Sequence, residues 1–258
     1  VAISANGRGW FLVNTSPDLR AQIEDFPPLQ PSGDKARQSP IEGVLLTNAD
    51  LDHVLGLFLL REEARLRLVA PAAVMQTLVD GLRLADVMRA SCMIEHYRPA
   101  AEGLAPLPGS GGLRFRALPL SSQAPPYAPD VAPGVQSVAY EIIDETTGGR
   151  LVIAPDVAAI SPELHSAMVA ADAVLFDGTF WSGDELQKIN GKPRTAHDMG
   201  HLVIREGSLP VLRALKAKRR VYFHINNTNP VLDPSSPERA EVDAAGIVVA
   251  EDGMEFEL

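Results

Sequence analysis

Ile41-Glu42-Gly43-Val44-Leu45-Leu46-Thr47-Asn48-Ala49-Asp50-Leu51-Asp52-His53 joins an apolar run to a cluster of ligand-type side chains. Ile41 to Leu46 suits a buried strand. It follows a stretch from Pro27 to Pro40 whose Pro, Ser, Gly and charge predict a surface loop. Thr47 to Asp52 then reads as the loop at the strand's carboxyl end. From His53 to Ala64, Val54, Leu57, Phe58 and Leu60 recur near helical spacing, with Arg61, Glu62 and Glu63 at the far end. A strand-end loop aims several side chains at one point while the scaffold holds them still. Carboxylates and imidazole are ligands of divalent metals. A plainer reading stands beside that one: Asp52 caps a helix that starts at His53, and Asp50 is a turn residue.

Working outward, three more polar residues sit just past apolar strands. Asp156 follows Leu151 to Pro155, Asp177 follows Ala173 to Phe176, and His224 follows Val221 to Phe223. Strands sharing one direction bring such residues to one sheet edge, where open α/β sheets place ligands. A hairpin is predicted for Val1 to Ser4 and Trp10 to Asn14 around Asn6-Gly7, and another for Ser137 to Ile143 and Arg150 to Ala154. Leu66 to Val69 and Leu113 to Leu120 read as strands. Ala72 to Leu82, Asp86 to Ser91, a segment from Pro162 to about Ala171, and Leu209 to Ala217 read as helices. Ile247 to Ala250 and Met254 to Glu257 read as a closing hairpin. The order predicts α/β sheets covered by helices in a single domain over residues 1–258.

The 258 residues are 46% apolar, enough for a large core, and carry a formal net charge of -10. Nothing here forms a basic field for a phosphate backbone, so nucleic acid is not an expected partner. Apolar runs stop well short of the roughly 20 residues that cross a bilayer, which predicts a cytoplasmic protein without a membrane partner. The single cysteine, Cys92, excludes an internal disulfide framework and a thiolate-rich cluster within this chain. Opening on Val1 in a strand-like Val-Ala-Ile-Ser, the sequence reads as a piece of a longer protein.

The spacing resembles the metallo-β-lactamase superfamily, whose signature His-x-His-x-Asp-His follows a strand and is completed by a loop His, an Asp and a final His. Asn48, Asp50, Asp52 and His53 occupy the four signature positions, Asp156 the bridging Asp, and His224 the last His. Two signature histidines are replaced. Ser121, Ser122 and Gln123 stand where the loop His is expected. Thr47 to His53, Asn14-Thr15-Ser16-Pro17-Asp18, Thr195-Ala196-His197-Asp198-Met199-Gly200-His201 and His224-Ile225-Asn226-Asn227-Thr228-Asn229-Pro230 together resemble hallmark segments of the coenzyme PQQ synthesis protein B family.

That resemblance implies an α/β fold, the metallo-β-lactamase-like four-layer αββα sandwich, here without the N-terminal segment and cysteine-rich structural zinc site of the family. It implies a role in making pyrroloquinoline quinone (PQQ). The reaction proposed for the family is iron-dependent hydroxylation, with dioxygen, of the tyrosine ring of a Glu-Tyr crosslinked intermediate. Alternatives are transport of PQQ or its precursor to the periplasm, or metal-dependent hydrolysis with zinc. Asp52, His53 and His224 supply two histidines and one carboxylate, the type of set used by non-haem Fe(II) oxygenases. Asp50, Asp156 and Asn48 complete or tune it. His201, as general acid, and His197 are the expected catalytic residues, and they share one face if their segment is helical. Asn226, Asn227 and Asp177 are expected to bind substrate, with Asn229, Arg194 and Lys192 weaker candidates. His96 and His165 are expected at the surface or in packing. A homodimer is the expected assembly.

Overall fold

The computed structural model describes residues 1–31, 39–61, 65–100, 102–121, 123–191 and 193–258. Residues 32–38 of the expected loop, 62–64 at the end of the expected helix, Ser122 and Lys192 lie outside the described residues. The chain forms two compact units, one comprising 1–117, 123–138 and 144–146, the other 118–122, 139–143 and 147–258.

The first unit contains β1 (Ala2–Ile3), β2 (Trp10–Val13), α1 (Leu19–Asp25), β3 (Ile41–Leu45), α2 (Leu51–Val54), β4 (Arg65–Val69), α3 (Ala72–Gln76), α4 (Leu84–Met88), β5 (Met93–Tyr97), β6 (Ala105–Pro106) and most of β7 (Leu113–Leu120). Its five-stranded sheet runs β1-β2-β3-β4-β5, antiparallel at β1/β2 and parallel elsewhere. Central β3 ends in Val44 and Leu45, followed by Leu46, all three fully buried. Burying an aliphatic side chain of this kind contributes about 1.5–3 kcal/mol. β5 was not anticipated. Its Glu95 and His96 break any apolar alternation, and as an edge strand it ties to β4 partly by the Arg65–Glu95 ion pair at 3.1 Å.

The helix expected from His53 to Ala64 is instead one α-turn from Leu51 followed by a 3₁₀ segment, Leu55–Leu60. The physical reason is competition for the backbone. The His53 carbonyl accepts from Thr15 N at 2.7 Å, and Gly56 N donates to Thr15 O at 3.0 Å, so the regular ladder is intercepted after one turn. A side chain at Gly56 would place its Cβ 2.4 Å from Ser16 O, so only glycine admits this approach. Asp52 therefore lies inside the turn rather than capping it. Asp50 holds the N-cap position without a side-chain capping bond.

The second unit contains β8 (Ser137–Asp144, of which 139–143 belong here), β9 (Arg150–Ala154), α5 (Pro162–Ala170), β10 (Ala173–Asp177), α6 (Glu185–Asn190), α7 (Leu209–Ala214), β11 (Arg219–Phe223), α8 (Pro237–Ala244) and β12 (Val248–Val249). The strand order is β12-β11-β10-β9-β8, with β9 to β12 parallel and β8 antiparallel to β9. Ser161 caps α5 by accepting from Leu164 N, with Pro162 at the first helical position. The same Ser-Pro-Glu pattern at Ser236 to Glu238 starts α8, which was not anticipated.

The closing hairpin does not form. Val248–Val249 pairs in parallel with β11, while Met254 to Glu257 carries no strand. Of that tail only Phe256 is partly covered, beneath the Arg219 guanidinium at 5.7 Å, and a strand without a buried face has little to hold it. Among the described residues no helix is long and apolar enough to cross a membrane.

Candidate metal centre

Parallel pairing of β9, β10 and β11 sets Phe176 opposite both Ala154 and Tyr222, so the three strands end together. Asp156, Asp177 and His224 leave that one edge, as their positions in the sequence predicted. His201 joins them from a loop. Residues 197–199 make a 3₁₀ turn, Gly200 takes a left-handed conformation at φ 83°, and Leu202 N donates to Val157 O at 2.6 Å, which lays His201 against the strand ends. One ligand atom each from Asp156, His201 and His224 lies within 4.8 Å of the other two. Asp156 Oδ1 is 3.8 Å from His201 Nε2 and 3.8 Å from His224 Nε2. Ligand atoms roughly 2.1 Å from one tetrahedral ion are separated by roughly 3.4 Å, so a small closure suffices.

The hydrogen bonds fix which nitrogen of each ring carries its proton. Asp177 is fully buried, and its Oδ2 accepts from Val157 N at 3.0 Å and from His201 Nδ1 at 2.8 Å. Its Oδ1 accepts from Thr179 N at 3.0 Å and from Thr179 Oγ1 at 2.6 Å. Because the Thr179 hydroxyl has one proton and directs it to the carboxylate, its 2.9 Å contact with His224 Nδ1 requires the ring to donate. Both rings thus carry Nδ1–H and turn Nε2 lone pairs toward Asp156. Such outer carboxylate and hydroxyl partners orient metal-ligating histidines. Burial pulls the His201 pKa down, but the Asp177 hydrogen bond and charge, together with Asp156, outweigh it, and the net shift is upward. His224 itself sits at φ 55°, a left-handed conformation costly for a side chain of this size, by about 1–2 kcal/mol.

The first unit holds the other half of the expected residues. Asn48 Nδ2 donates to Asp50 Oδ2 at 2.8 Å, and Asp50 N donates to Asn48 Oδ1 at 3.0 Å. Asp52, with 61% of its side chain exposed, places Oδ2 3.8 Å from Nε2 of the buried His53. Asn14, at φ 60°, and Thr47 lie against His53 Nδ1, at 3.0 Å and 3.1 Å. Tyr127 donates to Ala49 O at 2.6 Å; burial, with a smaller contribution from the Asp50 charge, pushes its pKa up to about 12.

The remaining expected residues are dispersed. His197 is exposed and, with Gly200 breaking the segment, shares no helical face with His201. Asp177, expected to meet substrate, is buried with its oxygens engaged by protein donors, and it acts as the orienting group for His201. Asn226 is half-buried and donates to Thr228 Oγ1, while Asn227 is exposed. Asn229 is a buried clamp, donating to Gly178 O at 2.8 Å and accepting from Val231 N. Arg194 and His165 are exposed; His96 Nε2 lies 3.0 Å from Ala70 O. Sequence reasoning assigned no role to Asn14, Thr47 or Thr179. The signal available for Thr179 was its place two residues after a buried strand-end Asp, where short polar side chains bond locally.

The family model for the β-lactamase superfamily domain matches residues 9–225. Coenzyme PQQ synthesis protein B of Pseudomonas putida (strain W619) is 39% identical over 270 residues, covering 100% of this chain and 86% of that protein. The crystal structure of Zn2+-bound PqqB from Methylobacterium extorquens superposes with a TM-score of 0.89 at 36% identity, covering 100% of this chain and 86% of that one. A diphosphatase of the PhnP family, at TM-score 0.64 and 21% identity over 97% of this chain and 81% of its own, shares the fold. With its metallo-β-lactamase fold, its strand-end cluster of ligand-type residues and this similarity across the given sequence, the chain belongs to the coenzyme PQQ synthesis protein B family.

Proposed function

We propose that the protein is a metal-dependent enzyme of PQQ biosynthesis that hydroxylates the tyrosine ring of a Glu-Tyr crosslinked intermediate with Fe(II) and dioxygen. The observation that supports it best is the pair of Nε2 lone pairs turned toward one carboxylate within 4.8 Å, a set of two histidines and one carboxylate. His201, His224 and Asp156 would hold the ion. When bound, Fe(II) supplies one-electron redox chemistry toward dioxygen.

Asp177 and Thr179 keep the protons of both rings on Nδ1 and so keep both Nε2 atoms in the ligating form. The catalytic role that the resemblance gives His201 and the ligand role favoured by its geometry are separated by measuring metal content and turnover of His201→Ala independently. His197 is retained as a proposed proton donor at the surface. The roles given to Asn48, Asp50, Asp52 and His53 remain proposals, each decided by the metal content of its own variant.

Zinc is the second reading, because the related Methylobacterium extorquens structure is Zn2+-bound. Metal analysis of the isolated protein, coupled to oxygen uptake on the crosslinked substrate, distinguishes the readings. Near-stoichiometric iron with substrate-dependent oxygen consumption supports the hydroxylase. Zinc with hydrolysis and no oxygen uptake overturns it in favour of a hydrolase, and a protein that binds no metal overturns it in favour of a carrier.

A further inference from the structure

We propose that Asn226 is a specificity-determining residue that accepts a hydrogen bond from a donor group of the substrate, and that Glu185, acting through Thr228, is the positioning residue that fixes this polarity. Glu185 is 6% exposed, and its two oxygens serve different donors. Oε2 accepts from Trp181 N at 2.8 Å, and Oε1 accepts from Thr228 Oγ1 at 2.5 Å. A threonine hydroxyl has a single hydrogen, so once that hydrogen is directed to the carboxylate, Oγ1 can only accept from its other neighbour. That neighbour is Asn226, 2.9 Å away. The amide must therefore turn Nδ2 inward, and Oδ1 takes the opposite side. Among the described residues no donor reaches Oδ1, and it is not one of the buried polar atoms left without a partner. It is an open acceptor.

The relay is anchored beside His224. Two residues further on, Asn226 N donates to Thr179 O at 3.2 Å, and Thr179 Oγ1 contacts His224 Nδ1 at 2.9 Å. Asn229 N donates to Asn226 O at 2.9 Å, and the Asn229 amide clamps Gly178 O. The backbone of this loop is thus fixed independently of the Asn226 side chain, which leaves the relay to decide only which end of the amide faces outward. An outward oxygen selects an N–H or O–H of the ligand and rejects a second acceptor, which would leave both oxygens unpaired. The inference rests on the proposed Glu-Tyr substrate, which offers amino N–H groups and a phenolic O–H.

The test measures amide orientation and ligand binding separately. Neutron diffraction from crystals of the deuterated protein locates the two deuterons of Asn226, and the expected map places one toward Thr228 with Oδ1 outward. In Glu185→Gln the side-chain oxygen is taken by Trp181 N–H, so the new amide nitrogen faces Thr228, the threonine proton turns to Asn226 and the Asn226 amide should flip. Calorimetric titration of the Zn2+-loaded protein with the crosslinked Glu-Tyr amino acid should show about tenfold weaker binding in Asn226→Ala and at least as large a loss in Glu185→Gln. In the Asn226→Ala background, Glu185→Gln should cause no further loss. If the dependence on Asn226 disappears with the phenol O-methyl ether, the donor is the hydroxyl; if it persists, the donor is an amino group. Nδ2 facing outward in the unsubstituted protein, an Asn226→Ala protein that binds as tightly as the unsubstituted one, or a Glu185→Gln loss that is the same with and without Asn226 overturns the proposal. Should Glu185→Gln not fold, Thr228→Val, which removes the inward partner of Asn226, takes its place in the cycle. No binding to the unsubstituted protein overturns the proposed function together with this inference, whereas binding without hydroxylation overturns the reaction and leaves the inference standing.

Discussion

Around His201 and His224, Nδ1 faces acceptors: the Asp177 carboxylate at 2.8 Å and the Thr179 oxygen at 2.9 Å. Around His53, Nδ1 lies 3.0 Å from the Asn14 amide nitrogen and 3.1 Å from the Thr47 hydroxyl oxygen. Three buried or partly buried histidines follow or approach strand ends, yet their Nδ1 atoms meet different partners. The lesson is that the partners of a histidine's second nitrogen, as well as the motif, set how its ring is held. Partners one shell out decide this, and they decide it differently in the two units.

That contrast can be broken by substitution. The largest effect is expected for His201→Ala and His224→Ala, each lowering metal affinity more than about 100-fold, since even outer-shell changes cost 10–100-fold. His53→Gln should lower it by at least about tenfold. Competition against a chelator of known affinity measures all three, and equal losses would erase the distinction between the niches. Next come Thr179→Val and Asp177→Asn. Thr179→Val leaves the His224 Nδ1–H without its acceptor, and both variants should lose about 10–100-fold in metal affinity in the same assay.

Asn14→Ala sharpens the comparison from the other side. It removes the acceptor of the Thr47 N–H and puts a less tolerant residue at φ 60°, so urea denaturation should show a loss of about 1–3 kcal/mol at unchanged m-value. The smallest effect is expected at Tyr127. Its folded pKa, raised from near 10 to about 12, favours the neutral phenol in the native state. Its contribution is therefore fully present below pH 10 and is lost as pH rises through about 12. Tyr127→Phe should cost about 0.5–1.5 kcal/mol at neutral pH and flatten the fall in stability over that alkaline window, as followed by denaturation at several pH values.

Much of this site was legible in one dimension because a buried parallel strand is an apolar run that ends abruptly. Ala173 to Phe176 followed by Asp177, and Val221 to Phe223 followed by His224, mark both an element and the place where its polar residue emerges. His201 was legible as a functional histidine, but its arrival beside Asp156 depends on a left-handed Gly200 and a loop bond to Val157, neither of which has a periodic signature. The helix after Asp50 was overestimated because apolar spacing records which residues are buried and not that Thr15 would take the His53 carbonyl. The edge strand β5 and the unformed C-terminal hairpin were misjudged for a related reason: pairing at a sheet edge is selected by the neighbouring strand more than by local pattern.

The sequence by itself determined the α/β character, the strand ends that carry Asp156, Asp177 and His224, and the family to which the four hallmark segments point. Those follow from residue type and spacing along one chain. Only the tertiary structure decided which partners each imidazole meets and that His201 and His224 gather beside Asp156. Those depend on hydrogen bonds between residues 24 to 45 positions apart, as in Asp177 with His201, Asn14 with His53 and Thr179 with His224. A proton's location on an imidazole is set by contact at about 3 Å, and contact at that scale is created by the fold.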